Sequence, residues 1–289
     1  MYYKLKERKE YRGYPLLLFS AAQGGGSDPI HSHDFFEIAL VRSGYTTHCV
    51  YSKEDALLQK STIIRGDLYI IPPGIRHQFQ DKQNVLLYTM GFLPELFTGE
   101  EFRIITALPV LEELVSTTCH FSRLHLLPLE FAKTERLLQK LMSHLQFTHQ
   151  EEAHRLMAKS LALEYLLSIG TQAPERWSRA PESADEKILS AIGELERNPQ
   201  KFLRIPEIAR KYGMCSSGFS RKFRDITGVP PLKYCHLLRL EQVREALINS
   251  DTGIEELAEK FGFADSNHLI KLFKKQYYIT PHQFRISRK

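Results

Sequence analysis

Three histidines and one glutamate have the residue types and the spacing to hold a divalent metal ion. His31, His33 and Glu37 are separated by even numbers of positions. Because side chains on a strand alternate between its two faces, we expect all three on one side of a sheet. If that side faces the inside of a barrel, His77 would complete a set of three imidazoles and one carboxylate. Such a set suits iron, manganese, zinc or nickel.

The segment around these residues is typical of an all-β domain. Between Leu16 and Phe92 the chain consists of short runs rich in β-branched and aromatic residues, such as residues 36–41, 67–71 and 85–90, with Gly and Pro between them. This pattern predicts a small β-barrel or a double-sheet jelly roll.

The same segment resembles the cupin superfamily in two motifs. The first consists of Gly25, His31, His33, Glu37 and Gly44, and the second of Gly66, Pro72, Gly74 and His77. Asp81 stands where cupins usually have Asn. The resemblance implies a cupin-like barrel.

Three roles are open to this set: metal binding, hydrogen bonding to an organic effector, and a purely structural role. Polar side chains elsewhere in the barrel extend the predicted effector site, which comprises His31, His33, Glu37, Arg42, His77 and Tyr88. The predicted metal ligands are His31, His33, Glu37 and His77, and no other cofactor is expected. The remaining histidines, which show no ligand spacing, are expected on the surface or in ordinary packing: His48, His120, His125, His144, His149, His154, His236 and His282.

A second pattern, repeated in the last third of the chain, predicts two helix-turn-helix units. Its offset is 49 residues from Ile205 to Ile254 and 50 from Phe223 to Phe273, which places one extra residue in the second turn. The shared positions are a small residue at a helix crossing, a Gly that ends the helix, and two apolar residues four apart on the next helix. They are Ala209, Gly213, Phe219 and Phe223 in the first unit, and Ala258, Gly262, Leu269 and Phe273 in the second.

Burial of that apolar face leaves polar side chains pointing outward from each second helix. These side chains carry the donors and acceptors that can read base edges in a major groove. The predicted DNA-binding set is Ser217, Ser220, Arg221, Arg224, Ser266, Asn267, His268 and Lys271.

The paired units resemble the AraC/XylS family of bacterial transcription regulators over about the last hundred residues, including the Pro231 and Pro281 that follow each second helix. The run from Arg65 to Phe79 is similar to that of the sugar-responsive members, including those for rhamnose-type sugars. The resemblance implies promoter DNA, a small-molecule effector, RNA polymerase and a homodimer as partners. One departure is Tyr278, which stands where the first unit has Gly228 and where a left-handed residue is expected.

Composition supports this organisation. From Asp185 to Lys289 there are 19 Lys and Arg against 13 Asp and Glu, whereas the upstream part has 20 against 21. The basic excess therefore lies where phosphate contacts would need it. Four scattered cysteines favour a reduced, cytoplasmic protein, and no run is long enough to span a membrane.

The predicted fold class is α+β: a cupin-like β-barrel with flanking helices, followed by an all-α domain. The predicted domains are 1–170 for sensing and dimerisation, a Pro-containing linker at 171–184, and 185–289 for DNA binding. Between Leu129 and Ile169, apolar residues at helical spacing predict two amphipathic helices that separate near Gln150. Their expected packing stripe is Leu138, Leu141, Leu145, Leu156, Leu163 and Leu167.

These patterns predict a ligand-responsive transcription regulator, of activator type, and not an enzyme. The alternative is a metal-dependent cupin enzyme, such as a dioxygenase or sugar isomerase, with an appended DNA-binding module. No nucleophile–base set, strong paired-carboxylate motif or nucleotide loop in the sequence favours catalysis beyond the metal set.

Overall fold

The computed structural model describes residues 1–11, 13–23, 26–108, 111–114, 122–172, 177–179, 184–201 and 204–287. Gly25, Cys119, His120 and most of the expected linker lie outside these residues. The chain forms two compact units: Met1–Leu126 with Lys133–Ala184, and Leu127–Ala132 with Asp185–Lys289. Among the described helices, none is both long and apolar enough to cross a bilayer.

The first unit is built on β-strands. They are β1 (Tyr2–Tyr3), β2 (Leu16–Gln23), β3 (Ser32–His33), β4 (Phe36–Tyr51), β5 (Leu57–Ile64), β6 (Asp67–Ile71), β7 (Arg76–Phe92), β8 (Ser122–His125) and β9 (Trp177–Arg179). β1 and β3 pair in parallel. The others form one seven-stranded sheet in the order β2-β7-β4-β6-β8-β9, with β5 paired to β4. Since β2 and β9 lie at the two ends of this order, the closed barrel remains a prediction.

The long strands β4 and β7 pair with each other along most of their length. Their register shifts at three places between Val41 and Thr47, which are β-bulges. A bulge adds a residue to one strand and bends it, so the alternation of faces changes along β4. Ala39 and Val41 lie on the same buried inner face as Val50, although the former are odd-numbered and the latter is even-numbered.

Helices complete the first unit and form the whole of the second. They are α1 (Gly99–Thr106), α2 (Pro128–Leu145), α3 (Glu152–Gly170), α4 (Glu186–Arg197), α5 (Ile205–Lys211), α6 (Ser216–Thr227), α7 (Pro231–Asn249), α8 (Ile254–Lys260), α9 (Ser266–Tyr277) and α10 (Pro281–Ile286). The α+β class, with a sheet domain followed by a helical region, is therefore confirmed.

The two helices expected between Leu129 and Ile169 are present as α2 and α3, but part of the expected stripe on α3 is wrong. Leu138, Leu141 and Leu145 are buried on α2. On α3, Leu156 is 67% exposed, and the core face instead holds Ala158, Leu161 and Tyr165. The large Tyr165 ring is buried, so the core face of α3 lies to one side of the leucine stripe.

The boundaries also differ from those expected. Leu127–Ala132, expected in the first domain, belongs to the second unit, because Leu127 and Leu129 join its apolar cluster. Trp177–Arg179, expected in the linker, pairs with β8 as β9.

The second unit contains the two helix-turn-helix pairs, α5 with α6 and α8 with α9. Ala209 and Ala258 are at most 1% exposed, which permits the close crossing. Gly213 and Gly262 have φ of 68° and 73°, the left-handed conformation that ends each first helix. In each turn the residue after the glycine donates its backbone N–H to the carbonyl oxygen of the small alanine. Met214 donates to Ala209, and Phe263 donates to Ala258.

A long helix, α7, joins the two helix-turn-helix pairs and carries a buried arginine. Arg239 is 2% exposed, and its guanidinium donates to the carbonyl oxygens of Pro199 and Gly262. Pro199 precedes the first helix-turn-helix pair, and Gly262 is the turn of the second. One side chain on α7 therefore holds both regions.

Replacement of Tyr278 by glycine is expected to stabilise the second unit by about 1 kcal/mol. Tyr278 ends α9 in the expected left-handed conformation, with φ 64° and ψ 0°, as Gly228 ends α6 with φ 74°. The Tyr278 side chain is 87% exposed, so little packing offsets the backbone strain. Chemical denaturation of the full chain measures the change, and Gly228→Ala is the matched control, expected to destabilise by a similar amount. A loss of stability in Tyr278→Gly would contradict this account.

Candidate DNA-binding surface and effector site

The second helix of each helix-turn-helix pair buries one face and exposes the other. Phe219 and Phe223 on α6, and Leu269 and Phe273 on α9, are all fully buried. This arrangement follows from their four-residue spacing, as expected. The opposite face of each helix is therefore available to a partner.

Most of the predicted DNA-binding residues lie on that open face. On α6, Ser217, Arg221 and Arg224 are exposed, and Ser220 is half-buried. On α9, Asn267 and Lys271 are exposed, and Ser266 is half-buried in the first turn. Asp265 caps α9 by accepting a hydrogen bond from the backbone N–H of His268 at 2.7 Å.

His268, expected to point outward, makes ring contacts within the second unit. Its ring is half-buried and lies edge-on to His236 of α7, with ring centroids 5.5 Å apart, and close to Phe263. The 50-residue offset aligns His268 with Gly218, so the first helix-turn-helix pair carries no side chain at this position. His236 was expected on the surface or in ordinary packing, and its ring contacts that of His268 on α9.

The exposed faces carry further positive charge that the predicted set omitted. Lys274 lies 50 positions after Arg224 and is exposed, as is Lys275. Lys222 on α6 is also exposed but pairs with Asp185, with Nζ 2.7 Å from the carboxylate. The repeat offset alone identifies Lys274 as the counterpart of Arg224.

In the first unit, three of the four predicted metal ligands come together. The donor atoms of His33, Glu37 and His77 lie within 4.8 Å of one another, and all three residues are buried. His33 Nε2 is 3.3 Å from Glu37 Oε2. His31 does not belong to this set, although its ring contacts that of His77. His31 lies before β3, opposite His77 in an isolated antiparallel bridge.

Backbone carbonyls orient the two imidazoles. His33 Nδ1 lies 2.7 Å from the carbonyl oxygen of Phe35, and His77 Nδ1 lies 3.2 Å from that of Ile75. Because a carbonyl can only accept, each Nδ1 carries the proton, and each Nε2 keeps its lone pair for a ligand. His77 Nε2 has no hydrogen-bond partner within the described part of the chain.

Burial controls the charge of this set. It lowers the pKa of His33 to about 4 and that of His77 well below the usual histidine value, so both rings are neutral at pH 7. Burial raises the pKa of Glu37 to about 7, and the positive charge of Arg8 opposes part of that rise. Neutral imidazoles and a desolvated carboxyl fit a divalent ion, which would supply the missing positive charge.

Two further polar side chains lie on the inner face, and the sequence analysis missed both. His48 is 3% exposed, and its ring lies 5.6 Å from that of His77. Tyr69 stacks on His48, and its buried hydroxyl has no partner among the residues that the structure describes. The bulges in β4 turn the even-numbered His48 inward, which simple alternation from Glu37 does not predict.

A cavity of about 170 Å³ adjoins this set. Its lining combines charged, histidine and aromatic side chains: Tyr3, Arg8, Phe19, Asp28, Pro29, His31, His33, Phe35, Glu37, Phe79, Leu87 and Thr89. A molecule in the cavity can therefore touch two of the three candidate metal ligands. The volume lies below the range of about 300–1,000 Å³ typical of sites for drug-sized ligands, so it suits a small effector.

Arg42 and Tyr88, both predicted to bind the effector, do not line this cavity. Arg42 Nε donates to Glu135 of α2 at 2.8 Å, and the Tyr88 hydroxyl donates to the same carboxylate at 3.1 Å. The Arg42 guanidinium also lies over the Tyr88 ring. Leu87 and Thr89 line the cavity, so strand alternation directs Tyr88 to the outer face, where it anchors a helix.

Comparison with known proteins identifies a helix-turn-helix domain in the second unit. The family model described as "Helix-turn-helix domain" matches residues 208–287. The transcriptional activator RhaS of Escherichia fergusonii is 25% identical over 91% of this chain and 89% of its own length. RhaS of Yersinia pseudotuberculosis is 23% identical over 89% of each chain. An AraC-type regulator from Chromobacterium violaceum, a solved structure, is 27% identical over 36% of this chain and 92% of its own, with a TM-score of 0.33.

Two helix-turn-helix pairs that present polar and basic faces define a DNA-binding transcription regulator. Residues 208–287 form an AraC-type helix-turn-helix domain, and the chain is similar to AraC/XylS-type regulators, as the sequence motifs predicted. The two RhaS proteins are transcriptional activators, and the alternative of a cupin enzyme is not supported.

Proposed function

We propose that this protein is a transcription activator that binds promoter DNA through α6 and α9 and responds to a small polar effector held in the first unit. The observation that carries the proposal is the pair of recognition helices with exposed Ser217, Arg221, Asn267 and Lys271. An arginine fork and an Asn amide are suited to base edges, and the surrounding basic residues are suited to phosphates. His268, at the start of α9, also contacts His236 and Phe263.

Binding of the full-length protein to its own upstream region tests the DNA-binding part. We expect specific binding that survives an excess of random competitor DNA and weakens steadily with added salt. A reporter driven by the same region tests the sign of regulation. Equal affinity for upstream and random DNA would contradict a sequence-specific regulator.

Lys274→Ala is expected to reduce the salt dependence of DNA binding by about one unit of log–log slope, because it removes one phosphate contact. Arg224→Ala, in the first helix-turn-helix pair, should reduce the salt dependence by a similar amount, since the two positions correspond. Affinity for operator and for random DNA should fall by similar factors in both variants. Titrations at four salt concentrations measure the slope, and an unchanged slope would exclude Lys274 from the interface.

We propose that the effector is a small polyhydroxylated molecule such as a sugar. Arg8, Asp28 and His31 offer hydrogen-bonding groups around the cavity, and Phe19 and Phe35 offer apolar faces. This mixture of few polar groups and aromatic surface is usual in small-molecule sites. The resemblance of Arg65 to Phe79 to sugar-responsive regulators points the same way.

His33, Glu37 and His77 would hold a divalent ion if one forms part of this site. When bound, the ion would offer open coordination positions to oxygen atoms of an effector. The chain's own residues would orient the ligand rings through the carbonyls of Phe35 and Ile75, and would exclude water by burial.

A thermal-shift screen with a carbohydrate panel tests the effector, because a ligand of the native state raises the melting temperature. The hit should then change reporter output. By family resemblance we also propose that the protein acts in the cytoplasm as a homodimer and contacts RNA polymerase. Size-exclusion chromatography with light scattering tests the dimer, and turnover assays on the same panel test the enzyme alternative.

A further inference from the structure

Two histidines of the first compact unit meet at the corner between α2 and α3, outside the cavity. His144 lies in the last turn of α2, and His154 lies in the first turn of α3. Their Nδ1 atoms are 2.9 Å apart. The sequence does not predict this contact, because the two residues are ten positions apart and lie on different helices.

A carboxylate holds the second ring. Glu151 Oε2 is 3.3 Å from His154 Nε2. With a proton on Nε2, His154 keeps a lone pair on Nδ1, and His144 supplies the proton that joins the two Nδ1 atoms. Phe147 packs against the His154 ring, with centroids 5.0 Å apart, and limits its rotation.

This arrangement matches half of a transition-metal site. When two nitrogen ligands each lie 2.0–2.1 Å from an ion and the two metal–nitrogen bonds meet at a right angle, the nitrogens are about 2.9 Å apart. The two Nδ1 atoms have this separation. Right-angled nitrogen ligands are typical of Cu²⁺ and Ni²⁺. A carboxylate on the remote N–H of a metal-binding histidine is a common feature of such sites.

We propose that His144 and His154 form a binding site for Cu²⁺ or Ni²⁺, with Glu151 as the residue that positions His154. The ion replaces the proton shared between the two Nδ1 atoms, and that proton passes to solvent. Water completes the coordination. The bound ion joins the end of α2 to the start of α3 and stabilises this corner.

Titration of the untagged full-length protein with Cu²⁺ tests the site. We expect the stoichiometry to fall by one ion in His144→Ala and in His154→Ala, and to stay unchanged in His149→Ala, an exposed histidine of the same segment. Glu151→Gln should retain the ion with an affinity lower by about 10-fold or more. The electron paramagnetic resonance signal of this Cu²⁺ should show two imidazole nitrogens and should be lost in each alanine variant.

Any ion bound at His33, Glu37 and His77 is a constant background in this comparison, because those residues are unchanged. His144→Gln and His154→Gln provide the same test if an alanine variant unfolds, as judged by circular dichroism without metal. The proposal is overturned if the alanine or glutamine variants bind as many ions as the unmodified chain, or if His149→Ala loses the ion.

Discussion

Arg221→Ala is expected to weaken binding to the specific operator by roughly 1–3 kcal/mol, while binding to random DNA changes much less. Arg221 is exposed on α6, opposite the buried Phe219 and Phe223. Its planar guanidinium can pair with O6 and N7 of one guanine, which a truncated side chain cannot replace. Lys271 occupies the same position on α9, but an ammonium is less directional. Lys271→Ala should therefore cost less.

Competition binding at matched salt measures both effects. Lys222→Ala is the matched control, since this neighbouring lysine on α6 pairs with Asp185 and should have little influence on sequence preference. A similar loss of affinity for operator and random DNA in Arg221→Ala would mean that the residue contacts only phosphates.

His33→Ala combined with His77→Ala is expected to abolish metal binding at the His33, Glu37 and His77 set and to remove the effector response. Loss of a group that hydrogen-bonds to a metal ligand lowers metal affinity by about 10–100-fold, and here two of the ligands themselves are removed. DNA affinity without effector should persist, because Arg221 and Lys271 lie in the other compact unit. Metal analysis, effector titration and operator binding are measured on the same sample.

His31→Ala separates the two roles of the site. His31 lines the cavity but lies outside the donor set, so this variant should bind effector less well and keep its metal. Thermal unfolding without ligand checks that the alanine variants still fold. An intact effector response in the double variant would reject this cavity as the sensing site.

The sequence predicted the helix-turn-helix units well because their signals are local. Each Ala, Gly and Phe position has one packing or backbone reason, and the structure agrees at Gly213, Gly262 and even at Tyr278. His33, Glu37 and His77 were also identified, since the motif spacing places them on neighbouring strands.

The errors arise where long-range register decides the outcome. Bulges between Val41 and Thr47 reverse the alternation of β4, so His48 turns inward. Arg42 and Tyr88 face α2 because Glu135 accepts hydrogen bonds from both, a contact across 93 and 47 positions. The His268 ring at the start of α9 contacts the His236 ring of α7. No local pattern of the second helix-turn-helix pair indicates this contact.

The buried guanidinium of Arg239 has a consequence for the operator. It holds the carbonyls of Pro199 and Gly262 from one helix, so the two DNA-reading pairs sit at the ends of a stiff rod of 19 residues, about 28 Å long. Each base pair inserted between two half-sites rotates one against the other by about 34°, because B-DNA repeats every 10–10.5 base pairs. We therefore expect the operators of this regulator to keep their two half-sites in a fixed helical phase.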